Sequence, residues 1–336
     1  MQELVTKINQ AERRFSHTQC PHRRLGTLSS TLTGDKLQQD VRNWLSPPDP
    51  WKNHNLARGS RHSGTGAWWI EGDAYAEWKS SDSSSLLWVH GKRSYFSPAF
   101  PPRLMLTSFT AGAGKSVIWY DALPIVRVHK LILLSSFAII EDTRALQKSG
   151  LASLAFFYCD FREGQKKDVH GILSSLLVQL GGQSDIYSAT LSDFYAAHGR
   201  GSQHASDDEL LECLKDMLKC PGQAAVHIII DGLDECPATT GLPSPREKVL
   251  ELVEELVNLH LPNLRICVAS RPEADIVPVL EPLASCSVSL HGEGGQVQDI
   301  AEYVKSVVHT NREMKRWKAT DKQLVIDVLI EKADGM

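Results

Sequence analysis

The chain lacks a charge excess of either sign: 36 Lys and Arg stand against 40 Asp and Glu, a formal net charge of −4 in 336 residues. A chain whose main task is to grip a nucleic-acid backbone carries a basic surplus, so no nucleic-acid partner is expected. Long apolar runs are missing too. The longest, Leu131 to Ile140, is too short to cross a bilayer, and Arg127, His129 and Lys130 just upstream make a crossing costlier, so no membrane span is expected. The first fifteen residues, MQELVTKINQAERRF, lack the apolar core of a signal peptide. No C-x-x-C pair occurs among the seven Cys. An odd, scattered set points to reduced thiols in a cytosolic or nuclear protein, and a cytoplasmic location is the expectation. No solenoid or propeller period is visible. What is present is ordinary globular usage, 42% hydrophobic and 23% charged, which excludes collagen, a coiled-coil rod and a wholly disordered chain. At one domain per ~150 residues, the length corresponds to about two domains.

Residues 1–34 read as a leader, poorly ordered or helical. A Trp-rich region follows over 35–85, and six of the eight Trp lie between Trp44 and Trp88. Leu37, Val41, Trp44 and Leu45 repeat at helical spacing, and Pro47 and Pro48 stop that helix. Residues 46–66, rich in Pro, Gly, Ser and Asn, read as a connection. The Trp cluster reads first as bulky packing and second as a stacking or partner surface. From Leu86 the pattern changes to short apolar strands: Leu86–Val89, Leu154–Tyr158, Val226–Ile230, Arg265–Ala269 and Ser287–Leu290. Amphipathic helices lie between them, one led by Val169 and Ile172, one by Leu210 and Leu214, one by Leu250 and Val253. Ser206 with Glu209, and Ser244 with Glu247 after Pro245, have the spacing of capping boxes. This alternation predicts an α/β fold with a mainly parallel five-stranded sheet flanked by helices, preceded by a small helical or irregular Trp-rich region. The α/β core spans 86–295, and a helical region begins over 296–336.

Three motifs carry chemistry. Ala111-Gly112-Ala113-Gly114-Lys115-Ser116 is a Gly-rich turn of the kind that presents backbone N–H groups to a phosphate chain. Lys115 would reach the β- and γ-phosphates, and the Ser116 hydroxyl would bind Mg²⁺. Phe109 stands where the full G-x-x-x-x-G-K-S pattern has Gly. His227-Ile228-Ile229-Ile230-Asp231 reads as a buried strand ending in a carboxylate suited to hold Mg²⁺. Asp234 or Glu235, just beyond, would orient an attacking water. Ile266 to Pro272 reads as a further strand with Arg271 at its carboxyl end, where ligands of open α/β sheets sit. Arg271 is therefore a candidate γ-phosphate sensor. A chance Gly-rich turn, a surface Asp and a surface Arg are the bland alternatives.

The ordered set GAGKS, IIIDGLDE and RICVASRPE resembles the NACHT branch of signal-transducing P-loop NTPases. The Trp-rich segment upstream resembles the one preceding the P-loop in large fungal NACHT proteins with nephrocystin-like N-terminal domains. The resemblance covers roughly residues 37–336. It implies binding of ATP (ahead of GTP) with Mg²⁺, slow hydrolysis, and nucleotide-controlled self-assembly with protein partners. It also implies a base pocket near Arg58 to Trp68, and a chain that stops short of the repeats common in the family.

Two features depart from the family pattern. Its P-loop runs on from the first strand, here Leu87-Trp88-Val89-His90-Gly91-Lys92, with the corresponding glycines three positions apart. In this chain Gly91 and Gly112 are 21 apart, an excess of 18 residues. Joining Gly91-Lys92 to one residue and then Gly112 restores the motif, which makes Gly91 a further nucleotide-binding candidate. The helix after Ser116 is then interrupted by Pro124 within about two turns. Residues 93–111 and 119–134 therefore read as ectopic insertions, either translated introns or true surface insertions. The expected function is a nucleotide-controlled signalling switch or assembly module. Its rivals are an interaction scaffold with a degenerate P-loop and a small-molecule phosphotransferase.

Overall fold

The five apolar runs pair as strands: β1 (Ser85–His90), β2 (Ala152–Tyr158), β3 (Ala225–Asp231), β4 (Leu264–Ser270) and β5 (Cys286–Ser289). Each begins or ends within two residues of its expected place. Every pair is parallel, and the order across the sheet is β2-β3-β4-β1-β5. Parallel neighbours need long crossovers, and helices supply them. β2, β3 and β4 are almost wholly buried along their length, as strands covered on both faces must be. The fold is the expected α/β sheet. This computed structural model describes residues 31–60, 67–81, 83–91, 128–239, 241–290, 294–310 and 314–334. The chain divides after Leu37 into two compact units. Of the first, Met1–Leu37, residues 31–37 are described and are helical. The second, Gln38–Met336, holds the sheet and is the subject below.

The helices in chain order are α1 (Thr31–Leu45), α2 (Pro50–Ser60), α3 (Ala67–Ile70), α4 (Asp73–Ser80), α5 (Val128–Lys148), α6 (Val169–Gly181), α7 (Asp185–Ala197), α8 (Asp207–Lys219), α9 (Pro245–Asn258), α10 (Val277–Leu283), α11 (Gly294–Thr310) and α12 (Ala319–Asp334). Both capping boxes form as spaced. Ser206 caps α8 and Ser244 caps α9, each with its Glu returning a bond to the cap nitrogen. In α8 Leu210, Leu214, Met217 and Leu218 are all buried, the stripe its spacing requires.

One face of the sheet packs Leu87, Val89, Phe156, Ile229 and Ala269 against Ile139 and Ile140 of α5 and against Trp69, Tyr75 and Trp78. Trp78 Nε1 donates to the Ile266 carbonyl at 3.0 Å, so the indole is both filler and satisfied donor. Trp44 packs on Phe194 and Tyr195 of α7 and donates to the Gln203 carbonyl at 2.9 Å. The described Trp residues between 44 and 88 thus serve packing first. A separate cluster of Val304, Val308, Met314, Val325 and Ile326 joins α11 to α12.

One local reading changes. The 46–66 connection contains α2, nucleated where Asp49 accepts from Trp51 N at 2.9 Å and Pro50 opens the helix. Its buried His54 and Ala57 give it a face to bury, which the polar composition hid. Helix α5 starts at Val128, so residues 128–134 of the stretch read as an insertion continue one helix with 135–148.

The outer edge of β2 is closed by side chains. Gln183 Oε1 accepts from Leu154 N at 2.9 Å while its Nε2 donates to Leu154 O at 2.6 Å. Gln179 does the same at Phe156, at 3.2 and 2.8 Å. Two side-chain amides, Gln179 on α6 and Gln183 just past its end, therefore imitate a missing strand and blunt an edge that would otherwise template another chain. No helix among the described residues is long and apolar enough to cross a membrane.

Candidate functional site

The connection leaving β1 leads outward to β2, three places away, whereas the one leaving neighbouring β4 passes β1 to reach β5. Where adjacent strands send their chains in opposite directions, a crevice opens at their carboxyl ends. Gly91 follows β1, Arg271 follows β4, and Asp231 closes β3 beside them. Asp231, Asp234 and Glu235 at the end of β3 and Arg271 after β4 thus share the carboxyl end of the sheet with Gly91 after β1.

Asp231 is 3% exposed and lies in register with Tyr158 and Ala269, whose side chains lie on the α5 face of the sheet. There Ser136 Oγ of α5 donates to Asp231 Oδ1 at 2.6 Å. No motif pointed to Ser136; its position on the helix after the Gly-rich turn is the one signal it carried. The chain then turns sharply. Gly232 has φ 71°, and a Cβ built there would lie 3.3 Å from the Cys159 carbonyl oxygen. Only Gly takes that conformation without strain.

The turn Leu233–Glu235 separates the two acidic candidates. Asp234 is turned to β4: its Oδ1 accepts from Arg271 N at 2.9 Å, and its Oδ2 lies 3.5 Å from Arg271 Nε. The Asp234 side chain is 8% exposed, whereas that of Arg271 is 47% exposed. Glu235 reaches the other way and accepts from Phe161 N at 3.1 Å, in the loop after β2. That loop is well anchored. Arg162 grips Asp160 through Nε and Nη2 at 2.8 and 2.7 Å, and this pairing holds the Asp160 carboxyl down to about 2. Lys166 is buried and donates to Asn53 Oδ1 at 2.6 Å. The Cys159 thiol is hydrogen-bonded to that of Cys236 and buried, which raises it well above the ordinary thiol range, so neither bond nor burial prepares a nucleophile.

Further along the same face His54 is fully buried between Tyr158 Oη at 3.0 Å and Glu141 Oε1 at 2.9 Å. Burial lowers its pKa against the opposing pull of Glu141. Burial alone would raise Glu141, but the bond from His54 and the Arg58 charge outweigh it and lower the carboxyl. Of the base-pocket range, Arg58 pairs with Glu141 at 3.1 Å and Trp68 packs against the sheet core; residues 61–66 lie outside the described residues. Gly112, Ala113, Gly114, Lys115 and Ser116 also lie outside them.

Among the described residues no three His, Cys, Asp or Glu side chains gather into a metal cage. A single buried carboxylate with a hydroxyl beside it instead suits a hard cation held mainly by substrate phosphates and water, as Mg²⁺ is.

No curated protein matches the chain. A family profile described as nephrocystin 3, N-terminal, matches residues 99–271, just over half of the chain. The match takes in Gly112–Ser116, Asp231, Asp234, Glu235 and Arg271, starts inside the 93–111 stretch, and leaves β1 and Gly91 outside. With this coverage, and with a parallel α/β sheet that gathers the described motif residues at its carboxyl end, the chain belongs to the nephrocystin 3 N-terminal family.

Proposed function

We propose that this chain is a nucleotide-binding signalling module that takes a nucleoside triphosphate with Mg²⁺, ATP ahead of GTP, and acts as a nucleotide-controlled switch or assembly unit. The observation that supports it most is the buried Asp231 carboxylate at the carboxyl end of a parallel sheet, oriented by Ser136, with Arg271 two residues beyond its register partner Ala269. Asp231 and the Ser116 hydroxyl are the Mg²⁺ ligands of this reading; the cation would neutralise charge on the β- and γ-phosphates. Lys115 and the backbone of Gly112–Ser116 would cradle those phosphates, with Gly91 at the foot of the loop. Arg271, half-exposed and tethered to Asp234, would sense the γ-phosphate. Asp234 is held by Arg271 N and Glu235 by Phe161 N, and either carboxylate would orient water. Hydrolysis, where it occurs, would be slow.

The test is a thermal shift with ATP and Mg²⁺ on the wild type and on Lys115→Ala. A stabilisation seen in the wild type and lost in Lys115→Ala is expected; no shift in either refutes the reading. The 18-residue excess between Gly91 and Gly112 favours a second reading, an interaction scaffold that keeps the fold without binding nucleotide. That reading predicts no shift in either protein. Sequencing the mature transcript across codons 91–141 distinguishes translated introns from true insertions.

A further inference from the structure

Arg246 sits in the first turn of α9, and all three of its guanidinium nitrogens are engaged. Nε donates to the Cys236 carbonyl at 3.0 Å and Nη2 to the Asp234 carbonyl at 2.6 Å. Nη1 donates to both carboxylate oxygens of Asp275, at 3.2 and 3.0 Å. The Arg246 side chain is 13% exposed, so its bonds to the two carbonyls are partly shielded from water, whereas its Asp275 partner is 41% exposed. Asp234 and Cys236 belong to the acidic turn after β3. Asp275 belongs to the segment after β4 that starts with Arg271. A second link joins the same two segments in the opposite sense, from Asp234 to Arg271. The Asp234–Arg271 pair directly, and the Arg246 fork from α9, therefore both tie the end of β3 to the segment after β4, and one guanidinium holds alternate carbonyls of the turn carrying Asp234 and Glu235.

We propose that Arg246 is a positioning residue: with Asp275 it makes the acidic turn and the Arg271 segment one unit, so that both ends of the nucleotide site take a single arrangement. This inference rests on the nucleotide reading above for its purpose, but not for its geometry. A planar fork is needed, because an ammonium is a point charge that cannot serve two carbonyls and a carboxylate at fixed angles. Holding Asp234 by its carbonyl also holds the carboxylate that receives Arg271 N. A role confined to anchoring α9 would leave the Arg271 segment unaffected.

The test uses the full chain with Arg246→Lys, Asp275→Asn and Asp275→Glu. Hydrogen exchange is followed in peptides covering 232–237 and 271–277. Both substitutions that break the pair, Arg246→Lys and Asp275→Asn, are expected to speed exchange in both segments, and Asp275→Glu to restore part of the protection. Unchanged exchange in 271–277 overturns the proposal. For nucleotide turnover, Asp275→Asn is expected to lower kcat about tenfold and leave KM within about twofold. An equal loss in every parameter, or none, counts against positioning. A wild type that neither binds nor turns over nucleotide refutes the nucleotide reading alone, since the exchange data still decide whether the two segments are coupled.

Discussion

His227 makes the fold sensitive to acid. It is 3% exposed in the middle of β3, in register with Leu154 on one side and Arg265 on the other, with the Trp78 ring edge-on at 5.6 Å. Burial pushes its pKa from 6.5 down to about 4; the charges of Arg265 and Lys79 add to this, and Asp142 opposes it. The unfolded chain therefore binds a proton below 6.5 that the folded chain refuses until about 4. Stability contributed by the neutral ring is present above 6.5 and is lost as pH falls toward 4. The full gap is worth roughly 3 kcal/mol, of which about 2 kcal/mol disappears between pH 7.5 and pH 5. The assay is urea unfolding of the wild type and His227→Leu at a series of pH values. His54, also buried with a lowered pKa, contributes to both proteins and cancels in their difference. The wild type is expected to lose stability relative to the variant by about 1.4 kcal/mol per pH unit between the two pKa values. A difference between them that does not change with pH refutes the argument.

Other substitutions probe the sheet and its turns. Gln179→Leu removes the side-chain bonds that close the β2 edge at Phe156 and is expected to cost about 1–3 kcal/mol and increase aggregation, measured by chemical unfolding and light scattering. Gly232→Ala forces an L side chain into the left-handed region against the Cys159 carbonyl, for an expected loss of about 1–3 kcal/mol in the same unfolding assay. Ser244→Ala breaks the capping box of α9 and should lower stability by about 1 kcal/mol, whereas Ser244→Asp should retain most of it.

Much of the architecture was legible because its signals are local. A run such as VHIII has no polar side to show to water, so it becomes a strand covered on both faces. Ser206-x-x-Glu209 and Ser244-x-x-Glu247 satisfy helix-end donors within four residues, so their spacing alone sufficed. Helix α2 was hidden because its Pro, Asn and Gly content resembles a turn, and only the burial of His54 and Ala57 explains why it is ordered as a helix. Helix α7 went unmarked for a different reason: it buries Tyr187 and Leu191, and its other apolar residues are scattered among Ser, Thr and Asp without a clean stripe.

The site divides along the same line. Asp231, Asp234, Glu235 and Arg271 were readable as candidates because a carboxylate or guanidinium at the end of an apolar strand is conspicuous in one dimension. Ser136 and Arg246 were not, because each acts on a group that only folding brings near, Ser136 across 95 residues of chain. The order β2-β3-β4-β1-β5 was equally absent from the local pattern, since periodicity says that a segment is a strand but not which strand lies beside it. Composition and periodicity by themselves determined the elements, because hydrophobic spacing and capping are short-range. The tertiary structure decided which carboxylate faces α5, which is held by Arg271, and what stands behind both, because those choices depend on contacts made only when the crossovers close.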